Sequence, residues 1–359
     1  MKITVPVKLN IDDQQKKVLL RTMEEINEVC NGMSEICFQE KIFRTYDIHY
    51  LFYHQIRGCY SLSSQMAIRA IAKVADSYKK DQKVRRTFRK HGAVAYDSRL
   101  LTWKEGFVSL TTLEGRMNFS FSCGEYFQEI LKNQKGETDL IFREGNFYLS
   151  TTCEISETPE KEVSQYLGID LGIVNLATDS LGHRYSGLKT IAVRKKNQKL
   201  RKKLQAKGTK SSKRLLKKRR KKEQRFAKNI NHCISKKIVD TAQRHSMGIA
   251  LEDLKGIRQR VTVRKGHRYG LHSWSFYDLG QKILYKAKRA GVRVVFVDPR
   301  YTSQECRSCG HIEKRNRKTQ SHFECKSCGH TDHADLNASG VIARRAAVNR
   351  PHGEDLLML

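Results

Sequence analysis

Two Cys-x-x-Cys pairs, Cys306/Cys309 and Cys325/Cys328, stand fifteen residues apart in ECRSCGHIEKRNRKTQSHFECKSCGH. Four thiolates at that spacing close a tetrahedral zinc site. Gly310 and Gly329 follow the second cysteine of each pair, where a knuckle turn needs a positive φ. Four protein ligands leave no open coordination position, so this metal would fold a loop and do no chemistry. The other six cysteines, Cys30, Cys37, Cys59, Cys123, Cys153 and Cys233, lie scattered among apolar neighbours. They read as small hydrophobes in a reducing compartment, not as a disulfide framework.

The chain carries 69 Lys+Arg against 37 Asp+Glu, a formal charge of +32 over 359 residues. An excess of that size repels itself unless a polyanion neutralises it, which points to nucleic acid as partner. No apolar run approaches the ~18 residues of a spanning helix, and MKITVPVKLNIDDQQKK has no signal-peptide core. The expectation from these features is a soluble, intracellular protein with no membrane partner. At this length two or three domains are expected.

Residues 1–10 alternate as a short strand. Asp12 and Gln15 then stand at capping-box spacing before Leu19, Met23, Ile26, Cys30, Met33 and Cys37, which recur with helical period. Further helices are expected near Ile48–Arg57 and from SLSSQ onward, giving a helical bundle over 11–85. Between 86 and 160 the segments AVAYD, FVSLTTL, RMNFSFSC and TDLIFREGNFYLSTTCEI carry β-branched and aromatic residues between Gly-containing turns, the pattern of an antiparallel sheet or barrel. From 161 strands alternate with helices, as in an α/β sheet. The strands are QYLGIDLG, MGIALED and VRVVFVDP, with helices near Ser275–Ala290 and Asn337–Ala346. The whole is a multidomain α+β protein. The C-terminal NRPHGEDLLML is too generic to assign.

Three acids interrupt apolar context: Asp170 in LGIDLG, Glu252 at the end of GIALED, and Asp335 in HADLNAS, just before the last helix. Half-buried carboxylates are costly unless paired or bound to metal. Converging at strand ends, the three would hold two divalent cations able to activate water and stabilise a leaving oxygen. Taken singly each could be a cap or a surface charge, and Asp335 would serve as an N-cap.

GIDLGIVNLAT, IALEDLKGI, YTSQECRSCGH, the second cysteine pair and DHADLNAS together resemble the TnpB nucleases, transposon-encoded relatives of the type V CRISPR effectors. The match is ordered and spans about 166–346. The resemblance implies a helical recognition domain (11–85) and a β-barrel wedge domain (1–10 and 86–160). It also implies a RuvC-like domain of RNase H fold (161–300 and 332–359) interrupted by a zinc ribbon (301–331). Asp170, Glu252 and Asp335 correspond to the family's Mg2+-binding triad, with Asp332 as the second choice for its third member. The implied activity is RNA-guided cleavage of double-stranded DNA beside a short adjacent motif. The guide RNA would come from the transposon end, and the protein would act as a monomer on one RNA. The resemblance also adds a prokaryotic, cytoplasmic location and association with the nucleoid. A guide-independent nuclease or transposase and an inactive RNA-guided regulator are the alternatives.

Residues 192–225 hold eighteen Lys/Arg and one acid, +17 of the total charge. Leu200, Leu204, Leu215 and Leu216 give a sparse apolar seam broken at Gly208, as in two basic helices joined by a turn. Lys195, Lys196, Arg201, Lys217, Lys218, Arg219 and Arg220 are expected to contact phosphates. Tyr53, Ser64 and Gln65, in the stretch resembling the family's recognition helices, are candidates for groove contacts, with core packing as the alternative. His272, Trp274 and Phe276 alternate after RKGHRYG, as a lid, a stacking surface or core.

Overall fold

The computed structural model describes residues 1–254 and 276–348, with the side chains of Arg220, Lys221 and Phe276 left out. His272, Trp274, the Phe276 side chain and the C-terminal stretch 349–359 therefore lie outside the described residues. The chain divides into two compact units, the first spanning Met1–Ser156 and the second beginning at Glu157. No helix among the described residues is long and apolar enough to cross a membrane.

The first unit is built on β1 (Lys2–Asn10), whose alternate residues Val5, Val7 and Leu9 are buried. α1 (Asp13–Gln39) follows, opened by the expected box: Gln15 N–H donates to Asp12 Oδ1 at 2.7 Å and Asp12 N–H to Gln15 Oε1 at 3.2 Å. α2 (Thr45–Cys59) buries only Ile48, Phe52 and Ile56, one residue per turn, whereas α3 (Ser64–Lys79) buries a full face. The strands are β2 (Val94–Tyr96), β3 (Leu101–Trp103), β4 (Phe107–Thr112), β5 (Gly115–Ser122), β6 (Gln134–Arg143) and β7 (Asn146–Glu154). They join β1 in one antiparallel sheet of order β2-β6-β7-β1-β5-β4-β3. The sheet is nearly closed: Tyr96 Oη on β2 donates to the Thr111 carbonyl on β4 at 3.2 Å. A short helix, α4 (Glu125–Leu131), sits between β5 and β6. Helices and sheet share one hydrophobic core, so bundle and barrel fold as a single unit.

The second unit is organised by five strands. They are β8 (Tyr166–Asp170), β9 (Asn175–Asp179), β10 (Arg184–Ser186), β11 (Gly248–Glu252) and β12 (Val294–Val297), in the order β10-β9-β8-β11-β12. The first three run antiparallel in sequence, and β11 lies parallel to both β8 and β12. Alternation along the two central strands fixes both faces. Leu167, Ile169, Ile249 and Leu251 pack against α6 (Lys210–Arg244) and α7 (Phe276–Ala290). Tyr166 and Ala250 turn the other way, onto α8 (Ala334–Val348). Gly168 shares that second face because α8 comes too close for a side chain: an added Cβ would lie 2.0 Å from the Ser339 carbonyl oxygen.

The basic segment forms two helices as expected. α5 (Leu188–Lys207) ends at Gly208 with φ +64°, the left-handed cap that favours glycine, and α6 begins at Thr209, whose hydroxyl accepts from Ser212 N–H. Leu204 is buried in the seam between them, while Leu215 is exposed. The last helix starts earlier than expected. Its first residue is Ala334, so Asp335 lies inside the first turn and is not its N-cap. β14 (Thr331–His333) runs directly into α8, and the Ala334 N–H is satisfied by the Ser321 carbonyl at 3.0 Å.

Candidate active site

Parity along the strands decides where the acids go. Asp170 is the last residue of β8 and shares the face of Tyr166 and Gly168; Glu252 is the last of β11 and shares the face of Ala250. Leu251 pairs with Ile169, so both acids occupy the carboxyl ends of adjacent parallel strands, on the side covered by α8. Asp335 projects from the first turn of that helix.

The Asp170 carboxylate feels the other two. The Asp170 carboxyl is pushed up to about 8, by burial first and then by the charges of Glu252 and Asp335; Arg317 opposes the shift. Burial also raises Glu252, against a hydrogen bond from Thr302 and the charge of Arg345. Two of the acids are tethered by side-chain hydrogen bonds. Thr302 Oγ1 donates to Glu252 Oε1 at 2.6 Å, and Asn175 Nδ2 donates to Asp335 Oδ2 at 2.9 Å. Among the described residues, only the four cysteines bring three or more ligand atoms all within 4.8 Å of one another, so the acids stand more openly spaced. Three hard oxygen donors crowded until one holds its proton suit a divalent cation such as Mg2+, which would relieve the repulsion. Asp332 is engaged elsewhere, in an ion pair with Arg307 at 3.1 Å.

The cysteines form two matching knuckles. Cys306 N–H donates to His311 O and Gly310 N–H to Cys306 O; Cys325 N–H donates to His330 O and Gly329 N–H to Cys325 O. Gly310 and Gly329 take φ of +80° and +70°, as the spacing required. Cys306 and Cys328 sulfurs lie 3.8 Å apart, and those of Cys309 and Cys325 3.5 Å. Tetrahedral zinc with ~2.3 Å bonds sets its sulfurs about 3.8 Å apart, so the set fits that ion. Burial pushes the Cys325 thiol up, but backbone N–H groups of Cys328 and Ser327 and the neighbouring thiols outweigh it and bring the group to about 6.

The expected nucleic-acid contacts divide. Lys195, Lys196, Lys217 and Lys218 are exposed on α5 and α6. Arg201 instead donates to Glu223 at 2.9 Å and Arg219 to Asn197 at 3.0 Å, holding the hairpin together. Arg220 lies on α6 with its side chain outside the described residues. In the first unit, Tyr53 packs against the core and stacks on His49 with ring centroids 4.8 Å apart. Gln65 is bonded to Asp97 and receives Arg99, and Ser64 is exposed at the start of α3. Sequence reasoning missed Thr302, Asn175, Arg317 and Asn337. The signal for three of them was a polar residue inside an already notable motif, YTSQ, GIVNLAT or DLNAS.

Known proteins resemble parts of this chain. The family model described as "Probable transposase" matches residues 150–255, and that of the "Cas12f1-like, TNB domain" matches 276–342. Cas12f1 of Sulfoacidibacillus thermotolerans, a CRISPR-associated endodeoxyribonuclease, is 43% identical over 119 residues, 33% of this chain and 27% of that protein. InsQ of Escherichia coli K12 is 30% identical over 227 residues, 57% of this chain and 55% of that protein. A TnpB-like protein of Methanocaldococcus jannaschii is 38% identical over 117 residues, 32% of this chain and 42% of that protein. The matched region thus spans between about a quarter and about half of these relatives. Among solved structures, a chain of a Cas12f1–sgRNA–target DNA complex superimposes with a TM-score of 0.63 over 92% of this chain and 83% of that one. At 15% identity that is a likeness of fold. Together these place the chain among relatives of transposon-encoded proteins and type V effectors. The likeness is to TnpB-like, InsQ and Cas12f proteins over these stretches.

Proposed function

We propose that the chain is an RNA-guided, Mg2+-dependent DNA endonuclease associated with a transposon. The observation that carries the reading is the placing of Asp170 and Glu252 at the carboxyl ends of β8 and β11 with Asp335 on the helix that covers them, Asp170 being pushed up to about 8 by burial first and then by the charges of the other two. The strand order β10-β9-β8-β11-β12, three antiparallel then two parallel, supports the RuvC-like reading. Asp170, Glu252 and Asp335 would hold the cations, one or two of them. When bound, these supply an activated water and stabilise the departing oxygen of a phosphodiester. Thr302 and Asn175 hold two of the carboxylates in orientation, and Arg317 offers positive charge toward the phosphate. The exposed lysines of the α5–α6 hairpin would follow the backbone of a guide–target duplex, while base pairing sets sequence and protein contacts read a short adjacent motif. On this reading 11–85 serves recognition, 1–10 with 86–160 forms the wedge, and 301–331 is the ribbon within the nuclease domain.

The test is to purify the protein from cells carrying its native locus and sequence the RNA bound to it. The expected result is one RNA with a constant scaffold and an end matching flanking DNA, supporting Mg2+-dependent cleavage that Asp170→Ala abolishes. Cleavage without RNA would instead make it a guide-independent nuclease. RNA-dependent binding with no cleavage by the parent protein would make it a regulator.

A further inference from the structure

Asn337 lies two residues beyond Asp335 on α8 and is fully buried. Its Nδ2 donates to the Glu305 carbonyl at 2.7 Å, and its Oδ1 accepts the Arg307 N–H at 3.0 Å. Glu305 and Arg307 flank Cys306, so one side-chain amide grips the first knuckle on both sides of a zinc ligand. Other contacts strengthen the same junction. The buried Glu305 carboxylate receives Arg344 and Arg345 from farther along α8. At Gly340 an added Cβ would lie 2.8 Å from Arg307 Cδ, so helix and knuckle touch there without an intervening side chain. The Ser321 carbonyl of the ribbon caps the helix's first N–H. On its other side α8 meets β8 at Gly168. The helix bearing Asp335 is thus wedged between the knuckle and the strand bearing Asp170.

A first helical turn lacks intrahelical partners for its own N–H groups and frays unless something outside holds it. Here His333 Nδ1 accepts the Asp335 N–H at 3.3 Å, and the ribbon holds the rest of the turn through Ser321 and Asn337. We infer that Asn337 is a positioning residue for the divalent-cation site: through its amide the zinc knuckle fixes the first turn of α8, and with it the place of Asp335 opposite Asp170 and Glu252. The inference rests on reading the three acids as that cation site. It gives the ribbon metal a second task, since the knuckle that shapes the ribbon also sets the third carboxylate. Outer partners that orient a ligand typically change metal affinity about 10–100-fold.

The experiment uses the full-length chain and Mn2+ alone as probe. Free Mn2+ is followed by electron paramagnetic resonance, with zinc content and melting temperature measured on the same samples. Asn337→Ala and Asn337→Asp, the latter keeping an acceptor for Arg307 N–H but losing the donor to Glu305, are expected to retain zinc and to bind Mn2+ about 10-fold or more weakly. Asp170→Ala should abolish Mn2+ binding. Parent-like Mn2+ affinity in both Asn337 variants, with Asp170→Ala inactive in binding, overturns the inference and leaves the cation site standing. Mn2+ binding that survives Asp170→Ala overturns the cation site itself. Should the alanine variant lose zinc, the aspartate variant decides by the same two measurements.

Discussion

Thr302 Oγ1 meets Glu252 Oε1 at 2.6 Å from a turn in which Tyr301, an exposed aromatic residue, is held at φ +61°. A left-handed conformation costs a non-glycine residue roughly 1–3 kcal/mol and persists only where the surroundings enforce it. The Tyr301 carbonyl is fixed by the N–H groups of Gln304 and Glu305, the residues leading into the first knuckle. The ribbon therefore reaches Glu252 through its entry turn, as it reaches Asp335 through its exit helix.

Replacing Thr302 by valine keeps the shape and removes the donor. A hydrogen bond to a charged group contributes ~1.5–3 kcal/mol, so Thr302→Val should require about 10-fold or more Mg2+ for half-maximal cleavage. Its melting temperature should stay within a few degrees of the parent. Magnesium titration of cleavage under single-turnover conditions measures this; an unchanged requirement would remove Thr302 from the site.

Asp170 predicts how stability follows pH in the metal-stripped chain. Its carboxyl stands at about 8 when folded, against ~3.9 unfolded. The folded state then holds a proton that the unfolded state has released, so its contribution is full below the unfolded value and is lost as pH rises through about 8. The parent's melting temperature should fall more steeply between about pH 5 and pH 9 than that of Asp170→Asn, which carries no charge to crowd. Added Mg2+ should close the difference at the alkaline end. Parallel curves for the two proteins would contradict the crowding.

Much of this arrangement is legible in the sequence because it is written in short-range patterns. Apolar strands that end in an acid, as LGID and GIALE do, put a carboxylate at a strand terminus, and the cysteine spacing with its trailing glycines specifies the knuckles. What escapes is whatever depends on distant partners. Asn337 and Thr302 are unremarkable until Cys306 and Glu252 are placed beside them, 30 to 50 residues away in the chain. Arg201 and Arg219 look like their exposed neighbours, yet each spends its guanidinium on a residue 22 positions off, across the hairpin. The sequence pattern sets Asp335 just ahead of its helix, where it could serve as an N-cap; the helix instead starts at Ala334, and its first N–H groups go to the Ser321 carbonyl and the His333 ring.

On the proposed reading the hairpin separates lysines free to meet phosphates from arginines that hold it together. Lys217→Glu with Lys218→Glu should leave the fold intact while weakening retention of RNA, and should flatten the dependence of log Kd on log salt by about 0.7 per lost contact. Arg201→Ala should act differently, loosening the pairing with Glu223 and lowering thermal stability by about 1 kcal/mol or less. Filter binding across a salt series, with melting curves, distinguishes the two. A lysine pair that leaves the slope unchanged would place the nucleic acid elsewhere.

Zinc should be present at one ion per purified chain, and Cys325→Ser should remove it. Because α8 is anchored to the first knuckle, loss of the ion should cost more than local order in the ribbon: Mg2+-dependent cleavage should fall at least 10-fold, in line with the effect of outer partners on a metal site. Elemental analysis and cleavage assays on the same preparations test this. Full activity in a zinc-free variant would uncouple ribbon and acids.

Arg317 is a cation whose charge reaches Asp170, and it comes from the ribbon, between the 3-10 turn Lys314–Asn316 and β13 (His322–Glu324). Its Nη2 donates to the Gln320 carbonyl at 3.2 Å, and its backbone bridges to Phe323, so the side chain is carried by an ordered hairpin. One positive group cannot neutralise three carboxylates, and on the proposed reading a phosphodiester would add further negative charge. In the transition state that charge grows on the phosphate oxygens, where a pre-placed guanidinium acts most strongly; removal of one such donor typically costs about 10²–10³-fold in rate. Arg317→Ala should therefore slow single-turnover cleavage by about that factor with RNA retention and zinc content unchanged. It should also raise the Asp170 carboxyl further, moving the alkaline rise of the pH–rate profile upward. Arg317→Lys, which restores charge without the planar fork, should recover part of the rate and most of the pH profile. Wild-type rates in Arg317→Ala would confine this residue to the architecture of the ribbon.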